Sequence, residues 1–121
     1  MNNQTPSQRV ASRYMEARLF GLLSNQIGWQ DLKRFEDQLQ WMFKKGQHTV
    51  KSIVDKSGDK VILVEAQNST LKISGFKSDG SGYAYKNLVV EIDGRVVKKT
   101  DKLDEVRKIV SRHFKSLGLR H

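Results

Sequence analysis

Apolar positions recur along this chain with a helical period at both ends and a strand period between them. Across residues 7–24, Val10, Ala11, Tyr14, Met15, Ala17, Leu19, Leu22 and Leu23 fall at helical spacing, and Pro6 suits the first turn of such a helix. Residues 24–28, Ser-Asn-Gln-Ile-Gly, read as an interhelical turn. Over residues 29–45, Leu32, Phe35, Leu39, Met42 and Phe43 gather within roughly 120° of arc, the stripe of a helix buried on one side. Gly46 supplies its stop. Two helices joined so briefly predict an antiparallel pair.

Beyond Gly46 the period shortens. Residues 49–55 are rich in β-branched side chains, 61–64 form a continuous apolar run, and 70–77 alternate around Leu71 and Ile73. Residues 83–93 alternate through Leu88, Val90 and Ile92, and Asp93-Gly94 turns the chain back through 95–99. A final helix over 102–117 buries Leu103, Val106, Ile109, Val110, Phe114 and Leu117. Asp101 is its candidate N-cap, with Asp104 and Glu105 in the first turn. The pattern predicts an α+β fold over residues 8–121 behind a disordered lead, 1–7. Its order is an N-terminal helical hairpin, a five-stranded antiparallel β-meander and a C-terminal helix. The run Val61-Ile62-Leu63-Val64 is apolar on both faces of its strand. Sheet curvature, a helix on the far face or a second subunit in a homodimer would each cover the second face.

Charge changes this picture most at the C-terminal end. Of a net charge of +9, six units lie in residues 95–121, which hold nine Lys or Arg against three acids. Lys108, Arg112 and Lys115 form an outward stripe on the last helix, and Lys98 and Lys99 lie in the strand before it. Such a surface can track phosphates, or be an ordinary solvated face. A second constellation sets Phe76, Tyr83 and Tyr85 among Lys72, Lys77 and Lys86. Aromatic rings on an exposed sheet among bases stack single-stranded nucleotides. The same rings equally serve as cross-strand pairs or core. Trp41 falls on the polar side of its helix with Arg34 and Lys45 beside it. It fits a partner-binding surface or a helix buried on two sides.

Catalytic chemistry has little to stand on. Cysteine is absent, which excludes disulfides, thiolate nucleophiles and Cys-ligated zinc. No pair of the three histidines has metal-ligand spacing, and no nucleophile elbow, Walker loop or Rossmann fingerprint occurs. Asp55, Glu65 and Gln67 loosely resemble the Asp…Glu-x-Lys metal site of restriction-like nucleases, with Gln67 in the lysine position. That resemblance implies a divalent ion activating water. It spans about thirteen residues, and a strand follows where those nucleases have a helix. Neither a secretory leader nor an apolar run approaching the ~20 residues of a membrane span is present, so cytoplasmic residence is expected. The reading that follows is a small non-enzymatic nucleic-acid-binding protein without cofactor or metal. Its alternative is an interaction or assembly protein with an acidic partner.

Overall fold

The structure, a computed structural model, describes residues 25–121. The lead at 1–7 and the helix at 7–24 lie outside the described residues. The described chain is α+β: β1 (Asn25–Gly28), α1 (Trp29–Gln40), β2 (Thr49–Val54), β3 (Lys60–Ala66), β4 (Ser69–Ser78), β5 (Gly82–Tyr85), β6 (Leu88–Ile92), β7 (Arg95–Thr100) and α2 (Leu103–Ser116). Among the described residues all pairings are antiparallel, but the sheet has seven strands where the sequence pattern predicts five.

The two extra strands arise differently, one from a break in a predicted strand and one from a distant pairing. The stretch 83–93, expected as one strand, is interrupted at Lys86–Asn87 and yields β5 and β6. They share one edge of β4: β6 pairs along Leu71–Ser74, and β5 pairs only at Lys77 and Ser78. Between these segments Gly75 takes φ +113°, and a Cβ there would stand 2.6 Å from the Asn87 carbonyl oxygen. Lys60 pairs with Phe76 but Ile62 with Ile73, so β4 carries an extra residue at Ser74–Gly75 and bends as bulged strands do, dividing the sheet into two lobes, β2-β3-β4-β6-β7 and β4-β5-β1.

The predicted interhelical turn at 24–28 is instead β1, paired to β5 with Ile27 opposite Tyr83 and Gly28 opposite Gly82. Gly82 permits this approach, since a Cβ there would lie 2.3 Å from the Ile27 carbonyl oxygen. The Asn25 amide also donates to the Asp101 carbonyl oxygen at 3.1 Å. A strand at the sheet edge thus leads into α1 where the interhelical turn is predicted, and the first helix of the predicted hairpin lies outside the described residues.

Helix α1 stops at Gln40, five residues before the predicted end, and Trp41 leaves the helical region at φ −91°, ψ 0°. Its continuation is claimed by the C-terminal tail. The Lys44 amide donates to the Arg120 carbonyl oxygen at 3.0 Å, and the Gln47 side chain donates to that oxygen and accepts from the Arg120 amide. Phe43 is thereby buried against His48 and Phe114, with ring centroids 5.2 and 6.3 Å away.

Register places Ile62, Ile73 and Val90 on one face of the sheet, with Val64 and Leu71 beside them. Leu32, Phe35 and Leu39 of α1 and Val106, Val110 and Phe114 of α2 complete the same buried cluster. Both helices thus cover one face. On the other, Leu63 lies between Lys51 and Lys72, and Val61 lies opposite Ile53. The long lysine stems shade this half-buried apolar pair, and neither helix does.

A cationic groove between β7 and α2

Helix α2 begins with Asp104 and Glu105 in its first turn, where carboxylates complement the helix dipole. Its N-cap is Lys102, and Asp101 makes no side-chain cap. Thr100 instead ties the entry to the first turn: its hydroxyl oxygen accepts from the Lys102 amide at 3.1 Å and its proton goes to Glu105. Glu105 is held there beside Lys98, 4.0 Å away. The Thr100 hydrogen bond first, and then the charges of Lys98, Lys102 and Lys108, keep the Glu105 carboxyl below its ordinary range.

Between β7 and α2 lies an open groove of about 690 Å³. Ile92, Val97 and Ile109 give it apolar walls; Lys98, Lys108 and Arg112 line it with positive charge; Glu105, His113 and Ser116 complete it. Lys108 and Arg112 share a helix face because they are four residues apart. Val97 and Lys98, as neighbours in a strand, would ordinarily point to opposite faces. Here Glu91 pairs with Val96 and Val90 with Lys98, so Val97 is the extra residue of a bulge. That bulge lets both side chains line the groove.

The predicted cations divide accordingly. Lys98, Lys108 and Arg112 come together, while Lys115 lies outside the groove lining. Lys99 pairs with Val89 on the opposite face of the sheet, where Lys72 forms an ion pair with Glu91 at 3.6 Å. Tyr83 is 7% exposed, with Lys60 Nζ 5.7 Å from its ring centre. Half-buried Tyr85 meets buried Phe76 edge-on at 5.5 Å. The aromatic constellation is therefore core and cross-strand packing, the second of its two sequence readings, and its rings do not form an open stacking face. Trp41 is 77% exposed, so the two-sided burial considered for it does not occur. Arg34 is paired with Asp31 at 3.5 Å, and Lys45 is exposed in the following loop.

The carboxylates of the nuclease resemblance do not converge. Thr49 pairs with Glu65 and Val54 with Lys60, so Glu65 and Asp55 stand at opposite ends of the β2–β3 hairpin. Asp55 accepts from the Ser57 and Asp59 amides within its turn, and Glu65 pairs with Lys51 at 3.4 Å. Among the described residues no cluster of three metal-ligating side chains occurs.

No family model, curated protein or solved structure matches the chain.

One arrangement at the groove's end escaped the sequence pattern. Ser69 Oγ lies 2.9 Å from Asp93 Oδ2 and 2.8 Å from His113 Nε2. A carboxylate only accepts, so the serine proton goes to Asp93 and Nε2–H of His113 donates to Ser69. The carboxylate holds the serine and not the histidine, so the order of a hydrolytic triad is absent. The cluster ties the 67–68 turn and the Asp93–Gly94 turn to α2.

Asp93 accepts from the Thr70 amide and Ser69, which with the nearby His113 hold its carboxyl below the usual range. The Ser78 amide and Lys77 do the same for Asp59. A carboxyl depressed in the folded state binds fewer protons than it does unfolded. Its stabilisation is complete above the unfolded carboxylate value, about pH 4, and is lost as pH falls through the folded value. Urea midpoints should therefore hold steady from neutral pH down to about pH 5 and fall below about pH 4. Asp93→Asn, which suits the positive φ of 51° at this turn, should be less stable at neutral pH with a shallower acid decline. A variant whose midpoint tracks the wild type in parallel would refute this assignment.

Proposed function

We propose that the chain is a non-enzymatic nucleic-acid-binding protein that takes phosphates into the β7–α2 groove. The observation carrying this reading is the convergence of Lys98, Lys108 and Arg112 on one concave surface with apolar walls. Phosphates engage the cations, and a sugar or base edge can cover Ile92, Val97 or Ile109. Sequence selectivity is expected to be small, since α2 packs on the sheet and among the described residues no recognition helix stands free. Glu105 offsets part of the positive charge, so about two phosphates are neutralised. The affinity should then fall with a log–log salt slope near −1.4 for a single strand.

Fluorescence anisotropy with labelled single- and double-stranded probes at low salt tests this. Lys108→Glu with Arg112→Glu should weaken binding at least about tenfold through lost phosphate contacts. Lys72→Glu, on the other sheet face, should do far less. Absence of binding to either probe, or equal losses from both variants, would overturn the proposal.

A second reading draws on one further observation: among the described residues β7 pairs only with β6, and its outer edge borders the groove. An extended acidic peptide could add there as a strand while its carboxylates meet the same cations. An acidic peptide that binds where both nucleic acid probes fail would favour this interaction role.

A further inference from the structure

The sheet ends in strand edges of unlike character. β7 carries Arg95, Lys98 and Lys99 and the bulge at Val97, devices that discourage edge-to-edge pairing. β1 is four residues long. β2 has none of these protections apart from one lysine. Its sequence Thr-Val-Lys-Ser-Ile-Val is free of proline, and its pairing with β3 runs unbroken through all six residues. It pairs with no other strand among the described residues, and Ile53 and Val54 are 47% and 57% exposed. A regular edge of high β-propensity with little charge is a template for another strand.

We propose that the occupant of this edge is β2 of a second copy, antiparallel across a two-fold axis normal to the sheet. A homodimer closes the pairing with no edge left open at this side, and its contact must be self-complementary. That condition selects a register. Residues facing one another across such an axis lie on the same face of the joined sheet. Centring on Lys51 would oppose two ammonium groups. Centring on Ser52 would set Lys51 against the partner's Ile53. Centring on Ile53 opposes the two isoleucines and brings each Lys51, which lies 3.4 Å from Glu65 of its own chain, to the partner's Asp55, so that the ammonium would stand between two carboxylates.

The last register satisfies both chemistries. Val61 already lies opposite Ile53 in β3, so an apolar rung would continue through both isoleucines into the second sheet. Asp55 spends Oδ1 on the Ser57 and Asp59 amides, and Oδ2 remains for the ammonium. Because β2 and β7 are opposite edges of the main lobe, the two cationic grooves would lie at the far ends of the joined sheet. At about 4.8 Å per strand, the two β7 strands would be about 43 Å apart.

Sedimentation equilibrium of the full chain at rising concentration is the first test, with a dimer expected. Ile53→Lys opposes two charges at the axis and should give a monomer with an unchanged far-ultraviolet spectrum. The absence of native cysteine makes a second test clean. Ile53→Cys should oxidise to a disulfide-linked dimer, because residues opposed across an antiparallel pair have Cα separations a disulfide spans. Lys51→Cys should not. A wild-type chain monomeric at every concentration would overturn the proposal, as would a dimer untouched by Ile53→Lys. Cross-linking through Lys51→Cys in place of Ile53→Cys would overturn the register.

Discussion

Gly75→Ala is expected to lower the free energy of unfolding by about 3–5 kcal/mol, near the upper end for a single substitution. Two costs coincide at this position. With φ at +113°, any L side chain is strained, by about 1–3 kcal/mol. In addition the new methyl would meet the Asn87 carbonyl oxygen at 2.6 Å and the Leu88 Cα at 3.2 Å. Both are backbone atoms, so no side-chain rotation relieves the contact. Relief requires moving β4 away from the β5–β6 break, where Phe76 and Leu88 are fully buried. Gly80 separates the two costs, since it has φ +88° and nothing within 4 Å of an added Cβ. Gly80→Ala should cost about 1 kcal/mol through strain alone. Urea unfolding of both variants measures the difference. Equal losses at the two glycines would mean that the close approach at Gly75 carries no energy.

This glycine also explains what was hard to see in the sequence. The alternation of Leu88, Val90 and Ile92 correctly marks a strand, and Asp93-Gly94 marks its turn. Nothing in the period shows that β4 carries a bend, because an isolated glycine is compatible with a bulge, a close approach or ordinary tolerance. β1 is missed for a related reason. Four residues with one apolar side chain give no period, and their placement comes from Gly82, more than fifty positions away. The overlong prediction for α1 has the opposite origin. Met42 and Phe43 continue the helical stripe, but Phe43 is buried against Phe114 of α2 and by the tail that follows it, where His121 stacks on its ring at 5.3 Å.

The candidate groove was legible as charge and illegible as geometry. The count of bases after Arg95 points to the region that holds the groove, and i, i+4 spacing joins Lys108 to Arg112 in its lining. Lys98 and Lys99, however, are adjacent in sequence and belong to opposite faces. Only the bulge that inserts Val97 determines which of them meets α2. Glu105 reads as a helix-dipole residue in the sequence, and it is that. Its second role, facing Lys98 and receiving the Thr100 proton, depends on how β7 and α2 pack. Register likewise separates Asp55 from Glu65, which lie only ten positions apart.

Replacing Glu36 by alanine is the other large effect expected. Glu36 and Lys60 form an ion pair at 3.0 Å between α1 and β3, with side chains only 9% and 18% exposed. Ser52 of β2 donates to the same carboxylate oxygen at 2.5 Å, so one acid ties α1 to two strands. Removing it would leave the Lys60 ammonium with the Tyr83 ring 5.7 Å away and, among the described residues, no paired carboxylate. Breaking a buried pair typically costs 3–5 kcal/mol, and the residual access of Lys60 to water places the loss near about 3 kcal/mol. Glu36→Leu with Lys60→Met should recover most of that loss, because neither charge then has to be desolvated. A double-mutant cycle by urea denaturation isolates the coupling. If both single variants lost less than about 1 kcal/mol, the pair would behave as an exposed salt bridge, and the hold of α1 on the sheet would rest on Leu32, Phe35 and Leu39 alone.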